Sequence, residues 1–178
     1  MKKIVVAGTS SGVGKTAVAS FLLRSLSERT QLHNRKYNGT VRQRRVLQHA
    51  GSASSEVIEY SPDLHLPESL WSALKITIRH EGSCPRHTDC DACDAGYAPF
   101  EVITSNTVLR EKGKDTDQLS RAGASKVVWL QSDPSVEAAG ITAALGCFGK
   151  EHNLVIEGNS FLRIKRADVS ILVVSPLV

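Results

Sequence analysis

Aromatic residues make up only 5% of the 178-residue chain, and there is a single methionine. No run of about 18 apolar residues occurs anywhere, which excludes a membrane-spanning helix. The apolar start, Ile4-Val5-Val6-Ala7, is too short for the core of a secretory leader and runs straight into a glycine-rich loop. The scarcity of aromatics leaves little on which unpaired bases can stack. Only four cysteines are present, three of them within residues 84–93. That clustering points to thiols or metal ligands in a reducing compartment rather than to a disulfide framework. The expected location is the cytoplasm.

Charge is modest in sum, +4, and uneven along the chain. Between Arg29 and Ser55 there are six bases (Arg29, Arg35, Lys36, Arg42, Arg44 and Arg45) and no acid. Residues 30–70 are thus expected to form a basic insertion. A patch for phosphate, a nucleotide-bearing cofactor or nucleic acid is one reading. A solvated insertion is the other, and it is favoured because only Tyr37 lies among the charges.

The remaining sequence alternates between two periods. Lys3–Ala7, Ala73–Arg79, Phe100–Thr104, Lys126–Leu130, Asn153–Glu157 and Asp168–Val174 read as strands. Lys15–Glu28, with Val18, Phe21, Leu22 and Leu26 at helical spacing, reads as a helix, as do Asp115–Arg121 and Ser135–Phe148. Pro67 to Trp71 reads as the start of a turn. Length and pattern predict one α/β domain over 1–178, a three-layer fold with a mostly parallel sheet between helices. Its ligand belongs at the carboxyl ends of the strands. The chain ends at Pro176-Leu177-Val178, so a closing helix and a base-recognition segment are expected to be missing or supplied otherwise.

The segment between the first strand and the first helix carries the clearest chemistry. Gly8-Thr9-Ser10-Ser11-Gly12-Val13-Gly14-Lys15-Thr16, followed by Ala17, is a phosphate-binding loop by composition and context. Backbone N–H groups and the positive end of the helix face the phosphates. Lys15 reaches the β- and γ-phosphates, and the Thr16 hydroxyl ligates Mg²⁺. The spacing departs from the common pattern, which would need glycine where Thr9 stands. This form resembles the P-loop of dethiobiotin synthetases, cobyrinic acid amide synthases and the MobB-type proteins of molybdenum-cofactor biosynthesis. The lysine-signature branch of P-loop proteins is disfavoured, because positions 9 and 10 hold Thr9 and Ser10.

Further along, Leu154-Val155-Ile156-Glu157-Gly158 is an apolar strand ending in a carboxylate. P-loop enzymes use such an acid to support Mg²⁺, and the resemblance makes Glu157 that residue. Gly113-Lys114-Asp115-Thr116, then Ala122-Gly123-Ala124, resemble the MobB pattern most closely. That resemblance puts Asp115 near the γ-phosphate or the metal, with Lys75 and His80 matching a lysine and histidine after the preceding strand. Asp115 also fits a helix N-cap, and one residue can do both. The resemblance covers 1–28 and 73–174 and does not extend to 30–70.

Residues 80–94 hold His80, Cys84, His87, Cys90 and Cys93. Cys84, Cys90 and Cys93 with His87 or His80 form a Cys₃His set for zinc. An iron–sulfur cluster needs a further thiol, from Cys147 or a second subunit. Cys147 itself reads as core.

The expected function is Mg²⁺-dependent binding and hydrolysis of ATP or GTP, with a MobB-like accessory role beside a cofactor-biosynthesis enzyme. No Asn-Lys-x-Asp guanine motif is present, so the base stays open. Two alternatives remain: a ligase of the dethiobiotin synthetase or cobyrinate amidase type, and a nucleotide switch coupled to metal in the cysteine loop. A homodimer across the nucleotide face is compatible with all three. A membrane partner is not expected, and a nucleic acid is disfavoured.

Overall fold

The structure, a computed structural model, describes residues 1–38, 70–79 and 98–174, without the side chains of 31–38. The Cys/His-rich loop, with His80, Cys84, His87, Cys90 and Cys93, lies outside the described residues, as does the basic stretch beyond residue 38.

The elements run β1 (Lys3–Gly8), α1 (Lys15–Asn38), β2 (Leu70–Ile78), β3 (Phe100–Ile103), α2 (Asn106–Leu109), α3 (Asp115–Arg121), β4 (Val127–Ser132), a 3₁₀ turn (Pro134–Val136), α4 (Glu137–Gly146), β5 (His152–Glu157), α5 (Phe161–Ile164) and β6 (Val169–Val173). The six strands form one sheet in the order β3-β4-β2-β5-β1-β6. All neighbouring pairs are parallel except β3 with β4, where Phe100 opposes Ser132 and Ile103 opposes Trp129.

Burial on both faces explains why β1, β2, β4 and β5 are apolar runs rather than alternating ones. Val5, Leu74, Ile76, Val128, Leu130, Leu154 and Ile156 pack against Ile141 and Ala144 of α4, Phe148 and Phe161. On the other face Val6, Ala73, Val127, Trp129 and Val155 pack against Ala19 and Leu23 of α1, Leu109 of α2 and Leu119 of α3. Leu23 is fully buried, and burial of one such side chain contributes about 1.5–3 kcal/mol. That contact holds the first turns of α1 against the sheet and so fixes what lies at their start.

Three elements differ from the sequence reading in extent. Helix α1 runs past Glu28 to Asn38, because no glycine or proline intervenes before Gly39. Leu70 and Trp71 begin β2 instead of a turn, paired with His152 and Asn153. The expected helix over Ser135–Phe148 opens as a 3₁₀ turn and ends at Gly146. Cys147 then caps α4 at its C-terminus, partly buried and packed against the core, with its carbonyl accepting from Lys126 Nζ at 2.6 Å. Among the described residues no helix is long and apolar enough to cross a membrane.

Candidate functional site

Parallel pairing brings the carboxyl ends of β1, β5 and β2 side by side. Register then decides which side chains meet there. Val6, Glu157, Lys75 and Trp129 are successive partners across β1, β5, β2 and β4. Strand side chains alternate between faces, so all four point to the face carrying α1 and α3. Two members of that row are apolar and pack beneath the helices. The other two, Glu157 and Lys75, are charged.

The glycine loop leaves β1 at Gly8. A Cβ on Gly8 would come within 2.5 Å of Val13 Cγ1 and 2.9 Å of Lys15 Cγ, so the loop folds back directly over this residue. Gly12 and Gly14 adopt positive φ angles of 78° and 99°, which glycine reaches without strain. Asn159 clamps the loop entry from both sides: its Oδ1 accepts from Gly8 N at 2.9 Å and its Nδ2 donates to Gly8 O at 2.8 Å. Thr9 N donates to Val173 O of β6 at 3.1 Å. Lys15 Nζ donates to Ser10 O at 2.6 Å, so the lysine reaches across its own loop.

Thr16 lies in the first turn of α1, and its hydroxyl donates to Glu157 Oε1 at 2.9 Å. Glu157 is 5% exposed, and its second oxygen, Oε2, is buried with no hydrogen-bond partner among the described residues. A buried carboxylate oxygen left unpaired costs free energy unless something else meets it. Lys75 Nζ donates to Asp115 Oδ2 at 2.5 Å and to Glu157 Oε1 at 3.3 Å. Behind Glu157, Gly158 has φ +148° and donates its N–H to Val6 O at 3.1 Å. A Cβ there would meet Ile76 O at 3.0 Å, so this glycine lets the chain leave β5 close against β2.

The structure therefore brings Thr16, Glu157, Lys75 and Asp115 into one bonded chain at the foot of the loop. Asp115 is the first residue of α3 and not its N-cap. Lys114 occupies that position without a side-chain cap bond, and the Asp115 carboxylate turns to Lys75 instead. Asn159 had no signal in the sequence beyond being a polar residue just after a strand-end acid. Its role depends on a contact between residues far apart in the chain.

A cleft of about 450 Å³ opens separately, at the β3–β4 edge of the sheet, lined by Glu101, Ile103, Lys114, Trp129 and Gln131 among others. Gln131 is 2% exposed, and its Oε1 has no partner among the described residues. Among the described residues no group of three or more histidine, cysteine, aspartate or glutamate side chains is placed to hold a metal ion. Comparison of the chain with protein-family models, with curated proteins and with solved structures returns no match.

The donor set suits a hard cation held in part by its ligand. Mg²⁺ takes one or two protein oxygens and completes its shell with water and phosphate. Thr16 donates its hydroxyl hydrogen bond to Glu157, which would leave its lone pairs for such an ion. Glu157 Oε2 would be an acceptor for a water on such an ion. The residues present thus fit magnesium with a polyphosphate and do not fit a cage of protein ligands alone.

Proposed function

We propose that this chain is a P-loop protein that binds a nucleoside triphosphate with Mg²⁺ and hydrolyses it. One observation carries the reading: the Thr16 hydroxyl bonds to Glu157 at 2.9 Å while the other Glu157 oxygen is buried without a partner among the described residues. A helix-start hydroxyl and a strand-end carboxylate in contact are the pair that phosphoryl transfer asks for.

The roles follow from position. Loop N–H groups and the start of α1 bind the phosphates. Lys15 exchanges its bond to Ser10 O for the β- and γ-phosphates, where a charge-assisted contact is stronger. Bound magnesium would neutralise charge that develops on the phosphate oxygens. Glu157 orients Thr16 by accepting the hydrogen bond of its hydroxyl. Asp115, 44% exposed at its side chain, is an acceptor for the attacking water. Whether the base is adenine or guanine is a matter for the binding experiment. The resemblance to MobB-type proteins adds an accessory role in assembling molybdenum or a related cofactor, beside a partner enzyme in the cytoplasm.

The test is calorimetric titration with ATP, GTP and their non-hydrolysable analogues plus Mg²⁺, on wild type and Lys15→Ala. Saturable binding by wild type and its loss in the variant support the reading. Equal affinity and turnover in the two overturn it.

The loop's resemblance to dethiobiotin synthetases and cobyrinic acid amide synthases supplies one second reading, a ligase that activates a carboxylate as an acyl phosphate. Hydrolysis that depends on an added carboxylic acid or diamine would favour this alternative.

A further inference from the structure

We infer that Lys75 makes divalent-cation binding conditional on the phosphate ligand, so that metal enters this site as a nucleotide complex and not alone. The inference rests on the proposed role of Thr16 and Glu157 as the magnesium residues. Glu157 Oε1 accepts from two donors, the Thr16 hydroxyl and the Lys75 ammonium. The same ammonium holds Asp115 at 2.5 Å. Its side chain is 14% exposed, so water screens it little and it acts on both carboxylates at close range. A divalent cation near Thr16 must share Glu157 with this ammonium and also approach its positive charge. The two cations compete for one carboxylate.

A polyphosphate changes that balance. Its oxygens add negative charge beside Lys75 and complete the metal's shell. The ammonium then has a second anion to face, and Glu157 is released toward the metal side. Lys75 is in this view a positioning residue that sets the order of assembly.

Mn²⁺ is the probe, because it prefers oxygen ligands and is a poor match for the thiols of the 80–94 loop. Free Mn²⁺ is followed by electron paramagnetic resonance in titrations of the full chain without nucleotide. Lys75→Gln should bind Mn²⁺ about tenfold tighter than wild type or more, as expected when a unit charge is removed beside a buried carboxylate. Lys75→Gln with Glu157→Gln should lose that gain. ATP or GTP should raise the Mn²⁺ affinity of wild type far more than that of Lys75→Gln. Should Lys75→Gln fail to fold by circular dichroism, Lys75→Met serves the same comparison with an apolar side chain of similar length. Equal Mn²⁺ affinity of wild type and a folded Lys75 variant, without nucleotide, overturns the inference while leaving the nucleotide reading intact. Absence of Mn²⁺ binding in every protein, with and without nucleotide, overturns both.

Discussion

Lys75 and Glu157 stand opposite each other on neighbouring parallel strands, and the lysine Nζ lies 3.3 Å from Glu157 Oε1. Both side chains are largely buried. Two ions taken out of water roughly balance their lost hydration with mutual attraction, but either one alone does not. Lys75→Met should therefore lower unfolding free energy by about 3–5 kcal/mol, since it leaves Glu157 buried without its cation. Adding Glu157→Met should restore most of the loss. Urea unfolding of wild type, both single variants and the double variant measures the coupling. If the single losses simply add, the pair is not interacting as described. Asp115 is more exposed, so Asp115→Asn should cost about 1 kcal/mol or less.

Lys15 offers the opposite case. Its only described bond is to a carbonyl of its own loop. Lys15→Ala should leave the unfolding free energy within about 0.5 kcal/mol of wild type. Nucleotide binding should fall to the limit of calorimetric detection. Unchanged stability with lost binding separates a ligand-facing lysine from a structural one. A variant that is both unstable and unable to bind would place Lys15 in the framework of the loop instead.

The fold was legible where burial and periodicity agree. The apolar runs at Lys3–Ala7, Ala73–Arg79 and Asn153–Glu157 are strands because both sheet faces are covered. The glycine loop and the acid at Glu157 were legible because each is local, a short motif or a strand end. Strand order was not legible, because nothing in the composition of β5 says that it lies between β1 and β2. Hence the sequence pointed Thr16, Glu157 and Asp115 toward one metal and phosphate site but held no sign of the hydrogen-bonded chain, with Lys75 between the two carboxylates, that joins them. Asn159 escaped for the same reason, since its partner Gly8 is separated from it by nearly the whole chain. The short helices α2 and α5 have only four residues each, too few for a periodic pattern to register.

Asn159 is the next position to test. It holds both backbone groups of Gly8, and a typical hydrogen bond contributes about 0.5–1.5 kcal/mol net. Asn159→Ala should therefore cost roughly 1–3 kcal/mol. Asn159→Asp keeps the acceptor for Gly8 N but sets a carboxylate oxygen against Gly8 O, so it should recover little. Because Gly8 opens the loop, both variants should also weaken nucleotide binding relative to their loss of stability at saturating ligand. Thermal melts with and without nucleotide separate the two effects. A melt unchanged by Asn159→Ala would mean that the clamp contributes nothing.

Two glycines with positive φ distinguish strain from collision. Gly12, at φ +78°, has nothing within 4 Å of an added Cβ. Gly158, at φ +148°, would bring a Cβ to 2.9 Å from Ile76 Cβ and 3.0 Å from Ile76 O. Gly12→Ala should cost about 1–2 kcal/mol, the penalty of a left-handed residue with a side chain. Gly158→Ala should cost more, because β5 or β2 must also shift and the backbone atom it meets cannot rotate away. That shift would move Glu157 relative to Thr16 and Lys75, so the variant should lose metal–nucleotide affinity even where it stays folded. Unfolding in urea ranks the two, and equal losses would show that the approach of Gly158 to Ile76 is looser than the 3.0 Å contact implies. A ranking with Gly158→Ala well below Gly12→Ala would tie the geometry of the acid at the end of β5 to a position where β2 leaves no room for a side chain.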